Sequence, residues 1–212
     1  MTDSFLVAGH EIPEGMRDDA RETWPSRELI DSFLGDFDFE LRPGETIHVD
    51  TEEQARAARK FRDVLGRFAT GVAVVTSTSA GAPVGLTCQS FTSVSLDPPM
   101  VLFCPAKTSR AWPAIQRSGK FCVNFLADDQ EPVSTTMASR GVDKFADVGW
   151  SPSEATGSPL IHGILGYVDC TIHAVHEVGD HFVVIGRVQE LEVSADDGPL
   201  LFYRGRYRTT AD

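Results

Sequence analysis

No CxxC pair and no zinc-type cysteine–histidine spacing occurs in this chain of 212 residues; its four cysteines stand apart at Cys88, Cys104, Cys122 and Cys170. They read as buried free thiols of a reducing, cytoplasmic compartment, not as a disulfide frame. No apolar run approaches the ~20 residues that span a bilayer, and no basic stretch followed by an apolar one marks a secretory leader. Basic residues are scarce: 19 Lys and Arg face 31 Asp and Glu, a net charge of −12. That excludes the basic footprint of a nucleic-acid or anionic-membrane binder. GxSxG, HExxH, the P-loop and GxGxxG after a strand are all missing, so the common nucleophile, zinc-hydrolase and Rossmann readings fall away. His173 and His176 lie three apart in a predicted strand, on opposite faces by period-two alternation, which argues against a shared metal. What is present is 42% hydrophobic residues, enough for a sizeable core.

The charge is uneven. Residues 1–53 carry 15 acidic and 4 basic side chains, and residues 54–212 carry 16 and 15. The chain therefore divides into an acidic N-terminal extension, 1–53, and a nearly neutral main domain, 54–212. Within the extension, Ser26 caps a short predicted helix whose Leu29, Ile30, Phe33 and Leu34 form an apolar stripe stopped by Gly35. Such an arm is expected to dock on its own body, on a twin subunit or on a partner protein, with plain disorder as the remaining alternative.

Thr51-Glu52-Glu53-Gln54 reads as a capping box opening a helix, with Ala58, Phe61, Val64, Leu65 and Phe68 at helical spacing until Thr70-Gly71. The texture then turns to short β-type runs: 72–77, 84–87, 91–95, 100–104, 121–126, 167–178 and 182–193. Turn residues separate them too closely for repeated βαβ crossovers. Two helical insertions interrupt, one over 109–118 stopped by Gly119, the other opening near Asp128 with Asp128-Asp129-Gln130-Glu131. The stretch 153–159 reads as an exposed loop. The fold class is mainly β, a small antiparallel barrel with helical decoration.

Three segments are hard to explain as scaffold. In Gly85-Leu86-Thr87-Cys88-Gln89-Ser90, continuing to Ser93, small and hydroxylated residues crowd a strand junction where a sheet wants bulk. They let a flat ligand approach backbone N–H and C=O groups, or they form a polar turn satisfied locally. In Cys104-Pro105-Ala106-Lys107-Thr108-Ser109-Arg110, hydroxyls, cations and a helix start make a phosphate cradle. Ser109 as a plain N-cap beside a solvated basic pair is the alternative. In Gly179-Asp180-His181-Phe182, Gly-Asp suits a hairpin turn, and His181 either reaches over the barrel mouth or is a solvated turn residue.

Together with FRDVLGRFATGVAVVT, KFADVGW and GSPLIHG, these stretches resemble the short-chain flavin reductase family over about Arg59 to Arg208. Members are the reductase halves of two-component flavin-dependent monooxygenases. The resemblance implies an FMN-binding split barrel, a homodimer, and reduction of FMN or FAD by NADH, with NADPH possible. It implies that 87–90 meet the isoalloxazine edge and that Ser93 and Lys107–Arg110 hold the ribityl phosphate. Gly179-Asp180-His181 would then serve the nicotinamide, His181 as the catalytic-site residue. Cys88-Gln89 departs from the small residue and Asn common in the family. The implied partner is an oxygenase that receives reduced flavin; no nucleic acid, membrane or metal is expected. Arg140, Arg187 and Arg206 are candidates for a 2′-phosphate. The rival readings are an oxidase that keeps its flavin and a non-catalytic flavin or haem module.

Overall fold

The computed structural model describes residues 52–139 and 143–210. The arm helix expected over 26–34, the Thr51 cap and Arg140 lie outside those residues. Helix α1 (Glu52–Leu65) has Glu52 and Glu53 in its first turn and Arg62 in its last, the signs its dipole favours. It ends before the expected break at Thr70-Gly71: after a last α-type bond from the Gly66 N–H to the Arg62 carbonyl, the Arg67 and Phe68 N–H groups turn to the Val64 and Leu65 carbonyls at 3.1 and 3.0 Å, tighter i→i−3 bonds that close the final turn. The apolar stripe exists, but Phe61, Val64 and Leu65 are 65%, 61% and 54% exposed, and Phe68 beyond the helix is 76% exposed.

After α1 come β1 (Thr70–Gly71), β2 (Ala73–Ser79), β3 (Ala82–Cys88), β4 (Thr92–Leu96), β5 (Pro99–Phe103), α2 (Trp112–Ser118) and β6 (Lys120–Phe125). The chain continues with α3 (Glu131–Ala138), β7 (Trp150–Pro152), β8 (Pro159–Ile161), β9 (Gly166–Val178), β10 (His181–Val193), β11 (Leu201–Tyr203) and β12 (Arg206–Arg208). Each strand expected from sequence lies within two residues of β2 to β6, β9 or β10. The short strands β1, β7, β8, β11 and β12 carry too few residues to show a period. Seven strands pair antiparallel in the order β3-β2-β6-β9-β10-β5-β4. Beside them stand a three-stranded sheet, β1-β11-β12, and the β7-β8 hairpin.

The large sheet coils around one core. Leu86 and Cys88 from β3, at one end of the strand order, share a buried cluster with Val101 and Phe103 from β5, near the other. Helix α2 closes this cluster with Trp112 and Ile115, both fully buried. Trp112 packs on Phe103 and Phe182 with ring centroids 5.9 Å apart in each case. The outward-facing alternates, Val72, Val74 and Cys122, join Leu126, Met137, Ile161 and Leu200 in a second cluster. Burial on both faces is why Ala73-Val74-Val75 in β2 and Phe121-Cys122-Val123 in β6 are apolar in succession instead of alternating with polar residues.

Two expectations are corrected. Helix α3 begins at Glu131, later than Asp128, because the Asp128 N–H is held by the Gly198 carbonyl at 2.9 Å and Ala127 bridges Pro199. Stretch 153–159 is not simply an exposed loop: Ser153 and Ser158 are buried and Pro159 starts β8. Its anchor is the buried Asp169 carboxylate, which accepts from Ser153 Oγ at 2.7 Å, Thr156 Oγ1 at 2.7 Å and the Thr156 N–H at 3.0 Å. Burial still pushes the Asp169 carboxyl above the ordinary carboxylate range.

Coiling needs a gap at Gly186 on β10. A Cβ there would stand 2.4 Å from Phe121 Cζ and 3.1 Å from Cys170 Cβ, both in the core. Gly186→Ala is expected to cost about 3 kcal/mol by overpacking. Thermal unfolding should show a Tm lower by about 6–12 °C.

Candidate functional site

Strand β3 ends the strand order, so one of its edges has no strand partner among the described residues. Antiparallel alternation sends the backbone groups of Gly85 and Thr87 to that same open edge. The Gly85 carbonyl there accepts from Lys144 Nζ at 3.0 Å. A groove of about 840 Å³ runs against this strand, within the size range of small-molecule sites.

The first predicted segment lines the groove throughout, from Gly85, Leu86 and Thr87 to Cys88, Gln89 and Ser90. Several of its polar atoms already serve the fold. Thr87 donates its hydroxyl to the Ser134 carbonyl at 2.5 Å, tying β3 to α3. Ser90 Oγ accepts the Cys104 N–H at 2.9 Å and lies 3.2 Å from Cys88 Sγ. Burial pushes the Cys88 thiol up. A Cβ on Gly85 would sit 3.2 Å from Met137 Sδ and 3.3 Å from Phe145 Cζ, so the glycine admits two side chains that also line the groove. Ser93, on β4, is not among the lining residues.

The second segment divides. Cys104, Pro105, Ala106, Thr108, Ser109 and Arg110 line the groove, whereas Lys107 does not. Lys107 pairs with Glu177 on β9 and stands 6.0 Å from the centroid of the Phe182 ring. Ser109 Oγ accepts the Trp112 N–H at 3.2 Å and so also staples the start of α2. Arg110 is exposed, with no hydrogen bond or ion pair among the described residues.

The third segment is clasped to the second. Gly179-Asp180 is the two-residue turn between β9 and β10, with Gly179 at φ 59°. The Lys107 N–H donates to the Asp180 carbonyl and the Phe182 N–H to the Pro105 carbonyl, each at 2.9 Å. That bridge sets His181 against Ala106 and into the groove. His181 Nδ1 lies 2.9 Å from Asp180 Oδ1, and this hydrogen bond holds the Asp180 carboxyl below the usual range. Gly179, Asp180 and Phe182 support His181 without lining the groove. Arg187 and Arg206 do not line it either.

Sequence reasoning missed the remaining wall. Met137 and Ser139 come from the end of α3, Asp143, Lys144 and Phe145 from the stretch between α3 and β7, and Phe202 and Tyr207 from β11 and β12. Tyr207 is held by Ser134 Oγ at 2.8 Å and by the Phe202 ring, its centroid 5.3 Å away. The only signal for Lys144 and Phe145 is the KFADVGW stretch, which carries resemblance without naming a role.

Among the described residues no hydroxyl or thiol bonds to His181, so the groove holds no Ser–His or Cys–His nucleophile. It offers instead a strand edge for a flat, polar-rimmed molecule and a cationic, hydroxylated loop for an anionic tail. The family model described as the flavin reductase like domain matches residues 65–211. The chain belongs to this flavin reductase family. The reductase is 56% identical over 151 residues to the flavin-dependent monooxygenase reductase subunit HsaB of Mycobacterium tuberculosis, covering 70% of this chain and 80% of that one. It is 40% identical over 166 residues to the FMN reductase (NADH) SmoA of Agrobacterium fabrum, covering 78% and 91%. Among solved structures, nitrilotriacetate monooxygenase component B from Mycobacterium thermoresistibile aligns with TM-score 0.72 at 52% identity, covering 74% of this chain and 89% of that one. The NADH:FAD oxidoreductase SgcE6 of Streptomyces globisporus, solved with NAD and FAD fragments, gives 0.70 at 37% identity, covering 74% and 94%. No described helix of the reductase is long and apolar enough to cross a membrane.

Thiol chemistry offers a first check on the site. Cys104 is half-buried, while Cys88, Cys122 and Cys170 are buried with thiols pushed up by desolvation. A disulfide reagent should label one thiol per chain at least about tenfold faster than the others. Cys104→Ser is expected to abolish that fast phase.

Proposed function

We propose that the protein reduces FMN or FAD with a nicotinamide dinucleotide, NADH in the first place, and releases the reduced flavin to a separate monooxygenase component. The observation that carries this reading is the single groove in which β3, the 104–110 loop and His181 meet. Family membership and the reductase names of the relatives support it. When bound, the two nucleotides supply the hydride donor and the hydride acceptor themselves. The protein has only to bind, orient and exclude water, which fits a groove with no catalytic triad.

The donor set fits such ligands. The open edge of β3 presents backbone groups to a heterocycle's rim. Thr108, Ser109 and Arg110, unpaired among the described residues, are the phosphate partners in this reading, and Lys107 stiffens the clasp from behind. Asp180 fixes the Nδ1 side of His181, leaving Nε2 to meet the nicotinamide nucleotide. Residues 54–212 form the reductase domain, preceded by the acidic extension 1–53.

A homodimer belongs to the same proposal. Its support is the exposed stripe Phe61, Val64, Leu65 and Phe68, together with Leu96 at 91% exposure and Val193 at 76%. Apolar surface of that extent on a monomer calls for a cover. Four free cysteines support a cytoplasmic setting.

The deciding experiment follows loss of nicotinamide absorbance with and without added FMN or FAD, using NADH and NADPH in parallel. Oxidation that saturates with added flavin is expected; no turnover, with flavin retained through gel filtration, would replace the reductase by a binding module. His181→Ala should raise the KM for NADH by about fivefold or more and change flavin affinity less than about twofold. Arg110→Ala should weaken flavin by about tenfold or more through a lost charge-assisted bond, and Lys107→Ala by less than about threefold. Light scattering should give twice the chain mass, reduced to one chain mass by Phe61→Asp with Leu65→Asp.

A further inference from the structure

Lys144 is the groove residue whose chemistry the proposed function leaves unused. Its side chain is half-buried, with Nζ donating to the Gly85 carbonyl at 3.0 Å and to the Met137 carbonyl at 2.6 Å. An ammonium has three N–H groups, so one remains uncommitted among the described residues. The ion pairs recorded among the described residues are Lys107–Glu177 and His181–Asp180, and neither involves Lys144. The adjacent Asp143 also lines the groove, but its Oδ1 accepts the Phe145 N–H at 3.1 Å. Burial lowers the Lys144 pKa from its ordinary value. A cation drawn partly out of water with only carbonyl partners is costly unless a counter-charge arrives.

The other full charges on the groove wall are Arg110, His181 when protonated, and Asp143. Arg110 sits on the loop leaving β5, beside Thr108 and Ser109, and its task is the phosphate. Lys144 is tied instead to β3 at Gly85, the strand whose open edge faces the ring. The hydroxyls of that strand segment are already engaged, Thr87 with Ser134 and Ser90 with Cys104. Reduction adds negative charge to the flavin ring, and a fixed cation at that edge favours the reduced form over the oxidised one. We propose that Lys144 is a flavin-contacting residue whose ammonium meets the anionic edge of the reduced ring. The inference rests on the flavin reading of the groove.

The test measures equilibrium affinity rather than turnover. Dissociation constants for oxidised flavin and for chemically reduced flavin are determined anaerobically on the full chain, for wild type, Lys144→Gln and Lys144→Arg. Lys144→Gln is expected to weaken reduced flavin about tenfold, with oxidised flavin within about twofold; that ratio equals a bound-flavin potential about 30 mV more negative. Lys144→Arg should stay within about threefold of wild type for both forms. Equal weakening of both forms with a lower Tm would make Lys144 a structural clamp between α3 and β3 and overturn the proposal. A loss confined to NAD⁺, titrated on the same proteins, would assign it to the dinucleotide and overturn it as well. Wild type that binds neither form would sink the flavin reading itself, and this inference with it.

Discussion

Burial on both faces of the central strands is the constraint on which the rest of the structure depends. Ala73, Val75, Phe121 and Val123 face the inner core, and Val74, Cys122 and Asn124, one residue out of phase, face the outer layer and are fully buried there. A polar residue in such a strand has no water to turn to and must be satisfied by protein. Asn124 accepts the Ile161 N–H at 2.9 Å and donates to Thr76 Oγ1 at 3.0 Å, while Thr76 donates to the Pro159 carbonyl at 2.6 Å. Asp169 holds the β7–β8 loop through Ser153 and Thr156. The small outer hairpin is thus hooked onto the sheet by the polar atoms that two-sided burial would otherwise strand.

The same constraint explains where the groove lies. Coverage fails at β3, where the strand order ends and backbone groups have no ladder partner. Proteins commonly cover such an edge or break it up. Here Lys144 takes the Gly85 carbonyl, Phe145 and Met137 lean on the glycine, and the rest of the edge faces a cavity. The clasp between Pro105–Lys107 and Asp180–Phe182 then brings a hairpin turn from the far end of the chain to the same place. An edge that would invite aggregation becomes instead the floor of the groove.

Much of the architecture was legible in the sequence because its strands are long enough to show a period. The two-residue turn at Gly179-Asp180 and the helix stop at Gly119, with φ 70°, are set by turn chemistry alone. Strands of two or three residues were not legible, nor was the delay of α3, which a long-range bridge to Gly198 and Pro199 imposes. Gly85 to Ser90, Cys104 to Ala106 and His181 all line the groove, and the sequence singles them out because small or out-of-place residues stand where a sheet wants bulk. Lys107 and Arg110 are indistinguishable in the sequence as neighbours in a loop, yet one turns to Glu177 and the other has no partner among the described residues. Lys144, Phe145, Phe202 and Tyr207 reach the groove from elements whose own sequence gives no reason for it. Their role is a matter of packing, visible only once α3 and β12 are set against β3.

The way the hydroxyls are spent bears on how tightly such a groove can hold anything. Thr87 and Ser90 each have a protein partner, so they shape the site more than they grip a ligand. On the proposed reading, affinity then falls to backbone groups on an open edge and to very few charges, Arg110 and Lys144 among them. A fully built pocket would commit every hydroxyl to its ligand and would be slow to release it. A reductase that hands its product to another protein has the opposite need, because each turnover ends with the flavin leaving. Rigid walls with sparse charge meet that need: orientation comes from the fold, and only a small part of it has to be given up when the reduced flavin departs.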